Sequence, residues 1–162
     1  MHREGYAHND IRPANIVGGK KGFVLLDMGL ASKEVPHRSN HKNHGGMPLY
    51  MGPEYPRTFS WGMPGDVWSF GIVMLFLLGF LQLPELRFLV SYMGEIRDRD
   101  EQAILDMRVW HDEISEIVRE KLAVQKDPIV QLVVRMLYED PITRITMAEL
   151  NEALEDGYDM LA

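Results

Sequence analysis

The chain of 162 residues contains no cysteine. That excludes a disulfide framework and any thiolate metal site. It fits a reducing compartment, with cytoplasm or nucleus as the default location. A basic excess is also missing: Lys and Arg number 17 against 24 Asp and Glu, a net charge of −7. Binding a phosphate backbone needs clustered cations, so nucleic acid is not an expected partner. The opening Met1-His2-Arg3-Glu4-Gly5 is charged and turn-like and does not read as a signal peptide. Only one stretch, Val67 to Leu83, is nearly all apolar, and Ser69, Gly71, Gly79 and Gln82 interrupt it before Pro84 stops it. A spanning helix needs roughly 20 apolar residues. The run therefore reads as a helix surrounded by protein, and no membrane partner is expected. Repeats and low-complexity tracts are lacking too.

What is present is one domain's worth of ordinary globular sequence, 46% hydrophobic and 25% charged, long enough to bury a core. Ile16-Val17 and Phe23-Val24-Leu25-Leu26 flank Gly18-Gly19-Lys20-Lys21-Gly22, which predicts a small hairpin with that segment as its loop. Ser32 to Gly46 is polar and aperiodic, a long loop. Asp66 reads as the N-cap of the apolar helix from Val67. Gly94 to Val124 has Ile114, Ile117, Val118 and Leu122 at helical spacing. Asp127-Pro128 starts another helix, with Ile129, Leu132, Val133, Met136 and Leu137 on one face. Thr146-Met147-Ala148-Glu149 fits a capping box, Leu150 and Leu154 give the last helix its apolar side, and Asp156-Gly157 ends it. The expected fold is mainly α with a small β hairpin.

The chemistry concentrates in His8-Asn9-Asp10-Ile11-Arg12-Pro13-Ala14-Asn15-Ile16 and in Leu26-Asp27-Met28-Gly29. Singly, Asp10 and Asn15 are ordinary turn residues and Asp27 an ordinary strand exit. Together, around a hairpin, they meet the needs of phosphoryl transfer, which depends on positioning and charge management. Asp10 supplies a carboxylate for the attacking hydroxyl. Arg12 supplies a cation for the moving phosphoryl group. Asn15 and Asp27 supply hard oxygen ligands for Mg2+. Gly29 frees the backbone to turn after the second ligand.

These stretches resemble the catalytic loop (H-R-D-L-K-x-x-N) and the metal motif (D-F-G) of eukaryotic-type protein kinases. Gly52-Pro53-Glu54 is similar to the A-P-E that closes the activation segment, and Asp66-Val67-Trp68-Ser69-Phe70-Gly71 to the start of the family's buried helix. Arg144, after Asp140-Pro141, falls where the family pairs an arginine with that glutamate. His2 and Gly5 match the lead-in to the catalytic loop. The resemblance implies one truncated kinase domain over 1–162: a catalytic loop at 8–15, a metal motif at 27–29, an activation segment at 27–54 and a helical lobe at 66–157. This is a protein-kinase-like C-terminal lobe with the N-terminal lobe absent. Asp10 and Arg12 would be catalytic, Asn15 and Asp27 would hold Mg2+ and through it ATP, and His8, Glu54, Asp66 and Arg144 would be structural. For Asp66 a brace on the catalytic loop and a helix cap both stand. Glu54 and Arg144 read as a pair or as two separate surface charges.

The departures matter as well. Only nine residues precede Asp10, leaving no room for a glycine-rich loop or its lysine strand. The expectation is an isolated chain with exposed apolar surface, marginal stability and weak or no ATP binding. A protein substrate is the expected partner, with a second protein on that surface as another. Asn9 replaces the arginine that receives an activation-loop phosphate in the family, although Ser32 and Ser39 are candidate phosphosites. Met47 stands where Ser/Thr kinases have a threonine. Arg12 replaces a lysine and binds phosphate as a fork. His37, His41 and His44, with His2 and His111, offer either a solvated loop or a zinc site. Trp61, Trp68 and Trp110 read as core or groove residues. Three functions stay in view: a Ser/Thr protein kinase fragment, a non-catalytic binding module, and a small-molecule kinase.

Overall fold

In the computed structural model, the structure describes residues 1–20, 22–33, 46–58, 62–82 and 101–159, with side chains as far as 156. The expectations on His37, Ser39, His41, His44 and Trp61, on Leu83, and on the start of the Gly94 segment lie outside them.

Among the described residues, four short strands flank the segment 8–15. Strand β1 (Tyr6–Ala7) pairs antiparallel with β4 (Ser32–Lys33), and β2 (Ile16–Gly19) pairs antiparallel with β3 (Gly22–Leu25). The β2–β3 register sets Ile16 against Leu25 and Gly19 against Gly22. The ladder thus runs into the segment that the sequence assigned to the loop. Gly18, Gly19 and Gly22 pair as strand residues. Gly22 has φ +114°, a value that side-chain-bearing residues rarely adopt.

The helices form the body of the chain: α1 (Tyr55–Thr58), α2 (Met63–Leu77), α3 (Glu101–Ile117), α4 (Pro128–Met136) and α5 (Met147–Asp159). Helix α2 is the axis of the core. Val67, Trp68, Ile72, Val73 and Leu75 are buried in it, against Trp110, Ile114 and Leu122 and against Val130, Val133, Met136 and Leu137. Its apolar surface on every side matches a helix enclosed by protein. No helix among the described residues is long and apolar enough to cross a membrane. Gly71 is the contact point with α4: a Cβ there would lie 2.7 Å from Leu137 Cδ2 and 3.2 Å from Met136 Cβ. Gly79, at φ +78°, ends α2, with Phe80 N–H and Leu81 N–H turned back to Leu75 O.

Several local signals act where the sequence puts them. Asp127 Oδ1 accepts from Ile129 N–H and Val130 N–H, capping α4. Thr146 and Glu149 form the reciprocal capping box, with Thr146 N–H on Glu149 Oε2 at 2.8 Å and Glu149 N–H on Thr146 Oγ1 at 3.2 Å. The Thr146 N–H and O–H hold the Glu149 carboxyl below its ordinary pKa. Other expectations need correction. Helix α2 begins at Met63 with Gly62 as its N-cap, so Asp66 lies inside the first turn and caps nothing. Helix α3 continues into one wide turn, Val118–Leu122, closed by Ala123 N–H on Val118 O. In α4, Ile129 is 41% exposed while its neighbour Val130 is buried. Leu154 is largely exposed, and α5 runs through Gly157 to Asp159.

Candidate active site

The loop 8–15 is held mainly by side chains that bond its backbone. His8 is buried between β1 and the end of β3. Asp10 N–H donates to His8 Nδ1 at 3.2 Å. An amide can only donate, so Nδ1 is unprotonated, and Nε2–H donates to Leu26 O at 3.0 Å. Leu26 N–H in turn donates to Asn15 O at 2.8 Å. Leu26 is therefore fixed from both sides by His8 and Asn15, one residue ahead of Asp27.

Asp66 reaches this loop from α2. Its Oδ2 accepts His8 N–H at 2.6 Å and its Oδ1 accepts Asn9 N–H at 2.7 Å. His2 Nε2 adds a contact to Oδ2 at 2.8 Å. The buried carboxylate thus satisfies two amides in a sharply bent loop, in which Asn9 sits at φ +64°. Asparagine is among the few residues that tolerate that conformation. The Asn9 side chain makes further bonds: Nδ2–H donates to Leu30 O at 2.8 Å and to Ser32 Oγ at 2.9 Å. Its Oδ1 is buried without a hydrogen-bond partner among the described residues.

Three sequence-predicted residues converge. Asn15 Nδ2 donates to both the main-chain O and Oδ2 of Asp10, each at 2.8 Å. Arg12 Nε lies 3.5 Å from the same Oδ2. That is ion-pair range without hydrogen-bond alignment, and Nε has no hydrogen-bond partner among the described residues. Asn15 has then committed both amide hydrogens to Asp10, leaving Oδ1 as its remaining acceptor. Asp27 is exposed, with φ +60°, and its Oδ1 accepts Gly29 N–H at 3.1 Å. A non-glycine residue in that region carries a backbone cost of about 1–3 kcal/mol and is worth a functional question.

A second cluster closes the segment beyond Met47. Arg144 donates twice to Glu54, Nη1 to Oε1 at 2.8 Å and Nη2 to Oε2 at 2.9 Å. Its other hydrogens go to Tyr138 O, Pro64 O and Glu139 O. The guanidinium lies 5.1 Å from the Trp68 ring centroid. Gly52 faces the Glu54 carboxylate so closely that a Cβ there would collide with it. Met47 packs half-buried on the core.

The oxygen set suits a magnesium ion bound jointly with phosphates. Such a site needs one or two protein oxygens and leaves the remaining positions to substrate and water. Asn15 Oδ1 and the exposed Asp27 carboxylate are of that kind. No group of three or more His, Cys, Asp or Glu among the described residues could hold a metal ion.

Sequence reasoning did not assign roles to four residues. His2 on Asp66 and the Asn9 side-chain bonds depend on chain reversals with no local signature. Trp110 and His111 contact Leu49 O and Met51 O. In the sequence Trp110 reads as a core or groove residue and His111 as one histidine among several.

A family model described as a protein kinase domain matches residues 1–155, so the chain belongs to the protein kinase domain family. It is 33% identical over 138 residues to the dual specificity mitogen-activated protein kinase kinase mek-1 of Caenorhabditis elegans, covering 83% of this chain and 38% of that protein. It is 28% identical over 145 residues to maternal embryonic leucine zipper kinase of Xenopus laevis, covering 87% of this chain and 21% of the relative. A probable serine/threonine-protein kinase, mkcF of Dictyostelium discoideum, is 39% identical over 79 residues, 48% of this chain and 11% of that protein. The chain thus spans well under half the length of these relatives.

Proposed function

We propose that this chain carries the phosphoryl-transfer half of a protein kinase domain. Completed by an ATP-binding lobe, it moves the γ-phosphoryl group of ATP to Ser or Thr hydroxyls of a protein. The observation that carries this reading is the pair of hydrogen bonds from Asn15 Nδ2 to Asp10 O and Oδ2, which would hold the proposed proton acceptor and the proposed metal-binding residue as one unit.

Asp10 orients the acceptor hydroxyl and takes its proton as the oxygen attacks the γ-phosphorus. The new P–O bond forms as the bond to the β-γ bridging oxygen breaks, and ADP leaves. Arg12, beside Asp10, offers its cation to the phosphoryl oxygens. Asn15 and Asp27 would hold Mg2+, which neutralises phosphate charge when bound. Asp66 keeps the loop bent, and His8 with Leu26 keeps the two halves of the site in register.

A non-catalytic binding role is the second reading. It is favoured by the exposed apolar hairpin, where Phe23 is 83% and Val24 58% exposed. Transfer to a generic protein acceptor by the polypeptide as the source cells make it, with ATP and Mg2+, separates the two. Asp10→Asn should lower that transfer by about 10²–10⁴. Near-normal transfer by this variant would overturn the assignment. For the chain alone, little or no Mg2+-nucleotide shift in melting is expected.

A further inference from the structure

Residues 49–51 end a short turn, Pro48–Tyr50, just ahead of Gly52-Pro53-Glu54. The turn satisfies two of its own amides, Tyr50 N–H on Met47 O and Met51 N–H on Pro48 O. The carbonyls of residues 49, 50 and 51 have no such ladder, and in an ordinary surface loop they would face water. Here each meets a side-chain donor from a buried residue. Trp110 Nε1–H donates to Leu49 O at 2.9 Å, the Ser69 O–H is shared between Tyr50 O at 2.7 Å and Gly65 O at 2.9 Å, and His111 Nε2–H donates to Met51 O at 2.9 Å. Trp110 and His111 are 2% and 5% exposed.

The clamp is connected to the cluster behind it. The His111 ring meets Trp68 edge-on, centroids 5.7 Å apart at 81°, and Trp68 lies beneath the guanidinium that grips Glu54. On its other side the clamped segment borders the catalytic loop. A cavity of about 30 Å³ is lined by Met51 and Gly52 together with Asn9 and Asp66, and Asn9 is the residue before Asp10.

We infer that Trp110 and His111 are positioning residues that lock the backbone of residues 49–51 in one conformation, as a fixed ledge for the protein substrate beside the catalytic loop. The substrate part of this inference rests on the kinase reading above; the clamp does not. Neither residue touches the reacting atoms. Their effect passes through two carbonyls, so the donor atom matters rather than the bulk of the ring.

Amide hydrogen exchange on the full chain tests the clamp. Trp110→Phe keeps a ring and removes the N–H. His111→Met fills space without a donor, whereas His111→Gln places an N–H close to the position of Nε2. Loss of one such bond should speed exchange at Tyr50 and Met51 about tenfold in the Phe and Met variants. The Val133 amide in the core should stay at the wild-type rate, and His111→Gln should restore slow exchange. Acceleration that is equal at Val133, or absent, or not rescued by glutamine would overturn the clamp. In the transfer assay, Trp110→Phe should raise KM for the protein acceptor several-fold with KM for ATP unchanged. An unchanged acceptor KM would overturn the substrate role. Wild-type polypeptide that transfers nothing, with local exchange still as expected, would overturn the kinase reading and the substrate role with it, and leave the clamp standing.

Discussion

Arg144 and Glu54, ninety positions apart in the chain, meet through two parallel hydrogen bonds of 2.8 and 2.9 Å. The guanidinium's three remaining hydrogens all find main-chain oxygens. Five donors thus face five acceptors around a side chain that is fully buried. Such a pair contributes through complete satisfaction, since removal of one partner strands the other in a poorly solvated place.

Arg144→Met should therefore destabilise the chain by about 3–5 kcal/mol, the usual effect of breaking a buried pair from one side. Arg144→Lys should recover only part of this, because three donors cannot serve five acceptors in a planar fork. Urea denaturation reads both. A loss below about 1 kcal/mol for the methionine variant would place the pair with ordinary surface charges.

Gly71→Ala tests the contact between α2 and α4. In an exposed helix that change stabilises by about 1 kcal/mol. Here the added carbon would lie 2.7 Å from Leu137 Cδ2 and 2.9 Å from Cγ, so a net loss of about 1–3 kcal/mol is expected from overpacking. Combined with Leu137→Ala, the two changes should cost less than their sum. Additive losses would show that Leu137 already moves aside.

Asp66→Ala removes the acceptor of two loop amides, and each stranded N–H costs about 1–3 kcal/mol. Hydrogen exchange at His8 and Asn9 should accelerate more than at Val133. Uniform exchange would mean that Asp66 matters only for the stability of α2.

His111 gives the chain a pH dependence. Burial holds its pKa below the ordinary imidazole value. The bond to Met51 O and the charges of Glu54, Asp112 and Glu139 oppose that shift without reversing it. The unfolded chain then takes up a proton more readily than the folded one. Stability is full above the unfolded pKa and falls as the pH drops below it toward the folded pKa. Denaturation of wild type and His111→Gln at pH 7.5 and 5.5 checks the sign. An equal loss in both proteins would assign the effect to other groups.

The parts of the fold that were legible beforehand are those fixed by neighbours in sequence. Asp127-Pro128 and the Thr146–Glu149 box act within one helical turn, so residue type alone reveals them. Asp66 shows the limit of that logic. A carboxylate near a helix start suggests a cap, but this one is taken by amides 57 and 58 residues away. The exchange of Ile129 for Val130 as the inward residue has a similar origin, because packing of α4 on α2 sets the helix rotation. Asp10, Arg12, Asn15 and Asp27 could be singled out as candidates from residue type, spacing and the family resemblance. The bonds of Asn9 could not, because they need its left-handed backbone to aim the amide at Leu30 and Ser32.

Those Asn9 bonds join the segment 8–15 to Leu30 and Ser32 without using any net charge. An arginine–phosphate joint weakens as ions screen it, with a reach of only about 8 Å at physiological ionic strength. Amide-to-carbonyl and amide-to-hydroxyl bonds have no such sensitivity. The connection from residue 9 to residues 30 and 32 should be as firm in concentrated salt as in dilute buffer, and it requires no prior covalent modification to form.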